Sequence, residues 1–304
     1  VAVAEEKTDL EMTLWNRYTY ETLDDSTVTN AFSLERGYFR INHTFTDKIS
    51  GRFNLDFFSS EDDANGAGVK LKYAYLDFKE LIPISESKVT FGLLKSYFGT
   101  IYDWEYVVAE KAPSDLYKFI SSTDYGLAFH GDFPKEMGEY ALSVVNGEGY
   151  KKAGENVNTS PGVLANLRFN PISGITIGGS YFMHEKGDAE DFNAYSVVGR
   201  VAFDPVDVWI EYLSKDDDGT VGSGFMVMPI VKVMDNLELV VRYDSWDPDT
   251  DVDNDEETLI IGGLNYYINP HVALQLNYEN ISPEEGDSTN KVILQFNWKF
   301  KTTL

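Results

Sequence analysis

Large apolar residues recur at every second position along most of this chain. In KVILQFNWKF, residues 291 to 300, Val292, Leu294, Phe296, Trp298 and Phe300 alternate with Lys291, Ile293, Gln295, Asn297 and Lys299. Side chains alternate across a strand, so this segment reads as a strand with one apolar face and one largely polar face, Ile293 being the exception. The same period of two predicts strands at 8–22, 31–46, 49–59, 68–79, 87–98, 123–133, 138–147 and 161–170. It continues at 174–185, 192–204, 206–214, 223–234, 236–245, 257–268, 271–280 and 290–300. Helical spacing is almost nowhere sustained over three turns, so the chain is expected to be all-β.

The connections between these sixteen segments alternate in character. One set is short: TDKIS, NPISG, DPV, MDN and INPH, with DFPKEMG and KELIPISES slightly longer. The other set is longer and acidic: SSEDDANGAG, HEKGDAEDFN, SKDDDGTVGSG, DSWDPDTDVDNDEET and NISPEEGDSTN. The longest connection, residues 99–122, is the third of this second set. Short turns at one rim, longer loops at the other and alternating strands of about ten residues between them make the pattern of a transmembrane antiparallel β-barrel. A soluble β-sandwich also alternates, but it gives no reason for two kinds of connection. Aromatic residues near strand ends, among them Tyr18, Tyr20, Tyr73, Tyr75, Tyr181, Tyr212, Tyr243, Tyr266 and Tyr278, suit girdles at the two membrane interfaces.

Composition narrows the class. The chain has 304 residues, 43% of them hydrophobic and 14% aromatic, and is read as a single barrel domain over 1–304. Its longest apolar run, FMVMPIVKVM at 225–234, holds Pro229 and Lys232 and is far short of a spanning helix of about 20 residues. A closed barrel needs no such helix, because its strands satisfy one another's backbone groups. There is no cysteine, which rules out disulfides, thiolate metal sites and a thiol nucleophile. With 25 Lys and Arg against 50 Asp and Glu, a net charge of -25, nucleic acid is not a partner. The small residues Val1 to Ala4 would suit the remnant of a cleaved export signal, though neither a charged region nor a long apolar one accompanies them.

Several segments resemble the phosphate-selective porin O and P group of Gram-negative bacteria. They are LERGYFRINHTFTD (34–47), AYLDFK (74–79), GLLKSYFG (92–99), YALSVVNGEGY (140–150) and LNYYINPHVALQLNY (264–278), collinear over most of the chain. The resemblance implies a sixteen-stranded barrel in the bacterial outer membrane, usually a homotrimer, with the third long loop folded inward to narrow the pore. Residues 99–122 are the matching loop, where Trp104, Glu105, Lys111, Asp115 and Lys118 would form the constriction. Residues 301–304, KTTL, follow Phe300 as a short tail, whereas such chains usually end at the aromatic residue.

With apolar residues against lipid, the intervening ones face the lumen. The basic members are Arg17, Arg36, Arg40, Arg52, Lys70, Lys72, Lys95, Arg168, Arg200, Lys232, Arg242, Lys291 and Lys299. Acidic residues on the same faces are Glu11, Glu21, Asp56, Asp124, Glu139, Asp207, Glu211, Glu238 and Glu279. More than half of all acidic residues fall in the long connections, so a negative mouth and a mixed, slightly basic wall are expected. The resemblance assigns anion contacts, phosphate in particular, to Arg36, Arg40, Lys70, Lys72 and Lys95. The inward loop mixes Glu105 and Asp115 with Lys111 and Lys118 and has no dense basic run, which favours a general pore over a strictly phosphate-selective one.

The acidic loop 247–257 places Asp247, Asp249, Asp251, Asp253 and Asp255 at alternate positions. That density of oxygen ligands suits Ca²⁺, which would bridge the loop to lipopolysaccharide, although the spacing is not that of a helix-loop-helix site. No other cofactor is expected. The four histidines are scattered, and neither GxSxG nor HExxH occurs, so no enzymatic role is expected. The sequence thus leads to an outer-membrane channel for passive diffusion of small hydrophilic solutes and ions. An anion channel of the same fold, and a non-conducting barrel that binds partners at the cell surface, are the alternatives.

Overall fold

A strand that meets lipid on one side can satisfy its backbone only if the sheet it belongs to has no free edge. In the computed structural model the sheet closes on itself. Its strands are Lys7–Leu23 (β1), Ser26–Thr44 (β2), Ile49–Ser59 (β3), Ala67–Lys79 (β4), Ser87–Lys95 (β5), Thr123–Asp132 (β6), Gly138–Val145 (β7) and Gly162–Ile172 (β8). They continue as Ile175–Glu185 (β9), Asp191–Phe203 (β10), Val206–Asp217 (β11), Thr220–Met234 (β12), Leu237–Asp247 (β13), Glu257–Asn269 (β14), Val272–Pro283 (β15) and Thr289–Thr303 (β16). Each pairs antiparallel with its sequence neighbours, and β1 pairs with β16 to close the barrel. The structure describes residues 6–152, 160–185 and 191–304, residues 61 and 63 excepted. Val1 to Ala4 and parts of the acidic connections near 61 and 188 therefore lie outside the described residues.

The two faces separate as the alternation predicts. On β16, Val292, Phe296 and Phe300 are 40%, 44% and 45% exposed, whereas the intervening Gln295 is 1% exposed. Phe53, Phe91, Leu142, Ile177, Val197, Ile210, Val241 and Leu276 continue the outer apolar surface around the barrel.

Some details depart from the sequence reading, beginning with β1 and β2, which extend to meet at a two-residue turn, Asp24 and Asp25, in place of the connection expected over residues 23–30. The expected long connection at 214–224 is a two-residue turn, because β11 and β12 extend to meet at Asp218 and Gly219. Both turn residues have positive φ, 53° and 89°, as a type I′ hairpin requires, and Asp-Gly is the dipeptide that supplies it. The residues after Phe300 do not hang free: Lys301, Thr302 and Thr303 continue β16, paired with Glu11, Leu10 and Asp9. Lys301 lies 2.8 Å from Asp9, and the Thr303 hydroxyl donates to the same carboxylate at 2.6 Å. Finally, Tyr73 and Tyr75 face the lumen and not an interfacial girdle. The β3–β4 register shifts at Leu55, so Asn54 faces Tyr73 while Asp56 faces Lys70. The extra residue allows Lys70 and Lys72 to point inward together with Tyr73 and Tyr75, which strict alternation forbids.

The core lies inside the barrel, between its wall and the residues that follow β5. Phe98, Tyr117 and Phe119 pack on Leu164, Phe182, Phe192, Leu213 and Trp246. Trp104, Val108 and Ala112 pack on Trp209, Met226, Met228, Ile230, Val240, Leu259 and Ile261. Strands β12 to β14 are thus apolar on both faces, toward the outer surface and toward the loop inside. That accounts for the near-continuous apolar run at 225–234.

Candidate functional site

A connection of irregular backbone held inside a barrel must find partners for its N–H and C=O groups. Residues 96–122, the third loop, form only one helical turn, Pro113–Leu116, and the lumen wall supplies the rest. At the loop's start the Gly99 N–H donates to Ser180 at 3.0 Å, and Thr100 donates through N–H and Oγ1 to the Glu211 carboxylate at 3.1 and 2.5 Å. The Ser196 hydroxyl completes that carboxylate's shell at 2.8 Å. Gly99 has φ +48°, and a Cβ there would push the Glu211 carboxylate off the groups it accepts from, so the seat favours glycine. Arg168 donates to Asp103 at 2.6 Å and to the Gly99 carbonyl. The Tyr102 hydroxyl donates to Glu139; burial pushes its pKa up, so it remains protonated and able to donate.

Across the barrel, neutral amides hold the middle of the loop. Gln275 donates to the Tyr106 carbonyl and Asn265 to the Val107 carbonyl, each at 2.8 Å, while Asn277 accepts the Ala109 N–H at 2.5 Å. Arg17 donates to the Ala109 carbonyl at 3.0 Å, and Arg242 to that of Lys111 at 2.6 Å. Arg242 also forms a two-pronged pair with Asp244, at 2.8 and 2.5 Å, in which both side chains are 0% exposed. Asp244 in turn accepts from Tyr117 at 3.1 Å. The loop is therefore fixed to strands around most of the circumference.

The candidate lumenal residues divide by this geometry. Arg17, Arg168 and Arg242 point inward but are committed to holding the loop. Arg200 pairs with Asp207 at 2.6 Å and lies 3.5 Å from Glu105. Arg40 pairs with Glu11 at 2.8 Å, Lys70 with Asp56 at 3.3 Å, and Lys232 with Asp235 at 3.3 Å near the short-turn rim. Arg36 is stacked over Trp15, Tyr38 and Tyr106, at 4.6, 4.9 and 4.8 Å, with Asp56 at 3.9 Å. Among the described residues, Arg52, Lys72 and Lys95 form no ion pair with a carboxylate. In the loop, Trp104 is buried against Trp209 with its N–H on the Glu110 carbonyl at 3.1 Å, so it braces the loop and does not face solvent. Glu105, Lys111 and Lys118 are exposed and Asp115 is half-buried. The loop-anchoring amides Asn265, Gln275 and Asn277 and the acid Asp244 were absent from the expected set. The signal for the amides was uncharged polar residues at alternate strand positions, and for Asp244 its place two residues from Arg242 on the same strand face.

Among the cavities lined by the loop, the two with the largest volumes differ in charge. The outer one, at the long-loop rim, measures about 500 Å³ and is lined by Arg36, Lys70, Lys72, Lys111, Lys118 and Lys151, with Asp115, Glu148 and Asp217. The inner one, at the short-turn rim, measures about 370 Å³ and is lined by Glu86, Asp103, Asp132, Glu136 and Glu139, with Arg168 and Arg200. The lumen is basic outside the loop and acidic inside it. The acidic run at 247–255 is used locally: Asp247 accepts the Asp249 N–H at 3.1 Å and Asp249 the Asp251 N–H at 3.2 Å. Among the described residues no three acidic or histidine side chains are grouped to hold a metal.

Residues 159–295 match the sequence model of the family described as phosphate-selective porin O and P. No curated protein matches the chain. Among solved structures, the anion-selective porin from Comamonas acidovorans superposes with a TM-score of 0.73 at 10% identity, over 97% of this chain and 100% of that one. The outer membrane channel DcaP of Acinetobacter baumannii gives 0.72 at 14% identity, over 98% of each chain. A trimer form of OmpT, an outer membrane protein of Vibrio cholerae, gives 0.61 at 11% identity, over 96% of this chain and 99% of that one. At these identities the likeness is one of fold.

Proposed function

We propose that this chain is a bacterial outer-membrane porin, a water-filled channel through which small hydrophilic solutes and ions diffuse passively, with a preference for anions. The observation that carries the reading is the closed barrel itself: an apolar outer wall, a polar lumen and a loop fastened inside it. Such a wall is stable only in hydrocarbon, and such a lumen only in water. The anion preference rests on the outer cavity, where six basic side chains face three acidic ones. Charges at a narrow entrance set the local ion concentration more strongly than the protein's net charge does. The family match, whose description names phosphate, and the likeness to an anion-selective porin support the same sign. Assembly as a homotrimer is part of the proposal, supported by the trimeric form of a structural neighbour. Lipid and lipopolysaccharide would surround it.

Planar-bilayer recording tests both parts. A KCl gradient should give a reversal potential of anionic sign, and the triple variant Lys111→Glu, Lys118→Glu, Lys151→Glu should move it toward the cationic side. Absence of conductance would remove the channel reading, and cation preference in the unaltered chain would remove the anion reading.

A further inference from the structure

On strands β2 to β5 tyrosine rings are interleaved with cations along the lumen wall. Tyr38, Tyr73 and Tyr75 are half-buried, in contrast to Trp209, which is 4% exposed beneath the loop. Pairing sets Tyr38 opposite Asp56, Tyr73 opposite Asn54 and Tyr75 opposite Arg52, so the rings descend the wall from the outer cavity, which shares Arg36, Lys70 and Lys72 with it. The Arg52 guanidinium lies 6.0 and 5.8 Å from the ring centres of Tyr73 and Tyr75, and Lys95 lies 4.7 and 5.1 Å from those of Tyr97 and Tyr102. Neither cation has a carboxylate partner among the described residues; the Arg52 Nε donates only to the Asn42 side chain, at 2.8 Å.

An inorganic anion needs the cations and gains nothing from the rings, whose apolar faces are better covered by a flat apolar surface than by water. A planar carboxylate matches the guanidinium fork, and the ring beside it matches the body that bears the carboxylate. We infer that this wall favours organic anions with a carboxylate on a flat apolar body, aromatic carboxylates being the type, over acetate and inorganic anions. The inference rests on the reading of the chain as a conducting, anion-preferring channel and specifies its solute class.

The test uses the full chain in planar bilayers and bi-ionic reversal potentials with sodium chloride, acetate, benzoate and phosphate. Size alone ranks acetate above benzoate. The wall should bring benzoate to or above acetate, and Tyr73→Ser with Tyr75→Ser should lower benzoate permeability about two- to tenfold while leaving chloride and acetate unchanged. Should that double variant not assemble, Tyr38→Ser, on another strand, carries the same expectation. Benzoate ranking below acetate, phosphate ranking above benzoate, or an equal loss for all anions in the variant would overturn this inference alone. Absent chloride conductance or cation preference would overturn the underlying reading and this one with it.

Discussion

Arg242 and Asp244 show how single residues in the lumen divide between structure and conduction. Sequence alternation places both on the inner face, where a charge is ordinarily taken to face water. Here both are fully buried, because the loop lies over them and Lys111 offers its carbonyl to the guanidinium. Truncating one partner of such a pair leaves the other charge unpaired out of water, a cost of about 3–5 kcal/mol. Arg242→Ala is therefore expected to loosen the loop, seen as a lower unfolding temperature on heat-modifiability gels and noisier single-channel current. Unchanged thermal behaviour would show that the pair does not hold the loop.

At the scale of elements, the third loop and the barrel seam each depend on contacts that alternation alone does not specify. Val108 is 0% exposed between the loop and β11 to β14. Val108→Asp puts an unpaired carboxylate into that apolar contact, so the loop should detach from the wall and unitary conductance should rise, while the gel shift still reports a closed barrel. The seam makes the second case. Removing residues 301–304 deletes the last β16–β1 pairs and the contacts of Lys301 and Thr303 with Asp9. The shortened chain should still close, through the pairs from Met12 to Leu23, but unfold at a lower temperature than the full chain. An identical unfolding temperature would mark those residues as dispensable.

For the whole molecule, the net charge of -25 and the basic outer cavity act over different distances. Screening lengths are about 10 Å at 0.1 M salt and about 3 Å at 1 M. The anion preference should accordingly weaken as the mean salt concentration rises from about 0.1 to 1 M at a fixed gradient ratio. A preference that strengthens with salt would mean that the acidic loops, and not the outer cavity, set the field at low salt.

Most of the fold was legible in the chain because a barrel strand is a local object. The alternation of Val292, Leu294, Phe296, Trp298 and Phe300 fixes which side faces out of the barrel before any tertiary contact is known. The inward direction of Arg40, Arg52 and Lys72 followed from the same periodicity. Which of the lumenal cations remain unpaired did not, because that depends on partners far along the chain: Arg168 is taken by Asp103, while Arg52 and Lys95 are left to the tyrosines. The inward turn of Tyr73 and Tyr75 depended on a one-residue shift against β3, and Ile293 is 3% exposed on the inner face of β16, between Gln295 and Lys291. Local alternation determined the wall of this protein; the tertiary structure decided what stands free inside it, because only closure of the barrel brings the loop and distant strands within hydrogen-bonding reach.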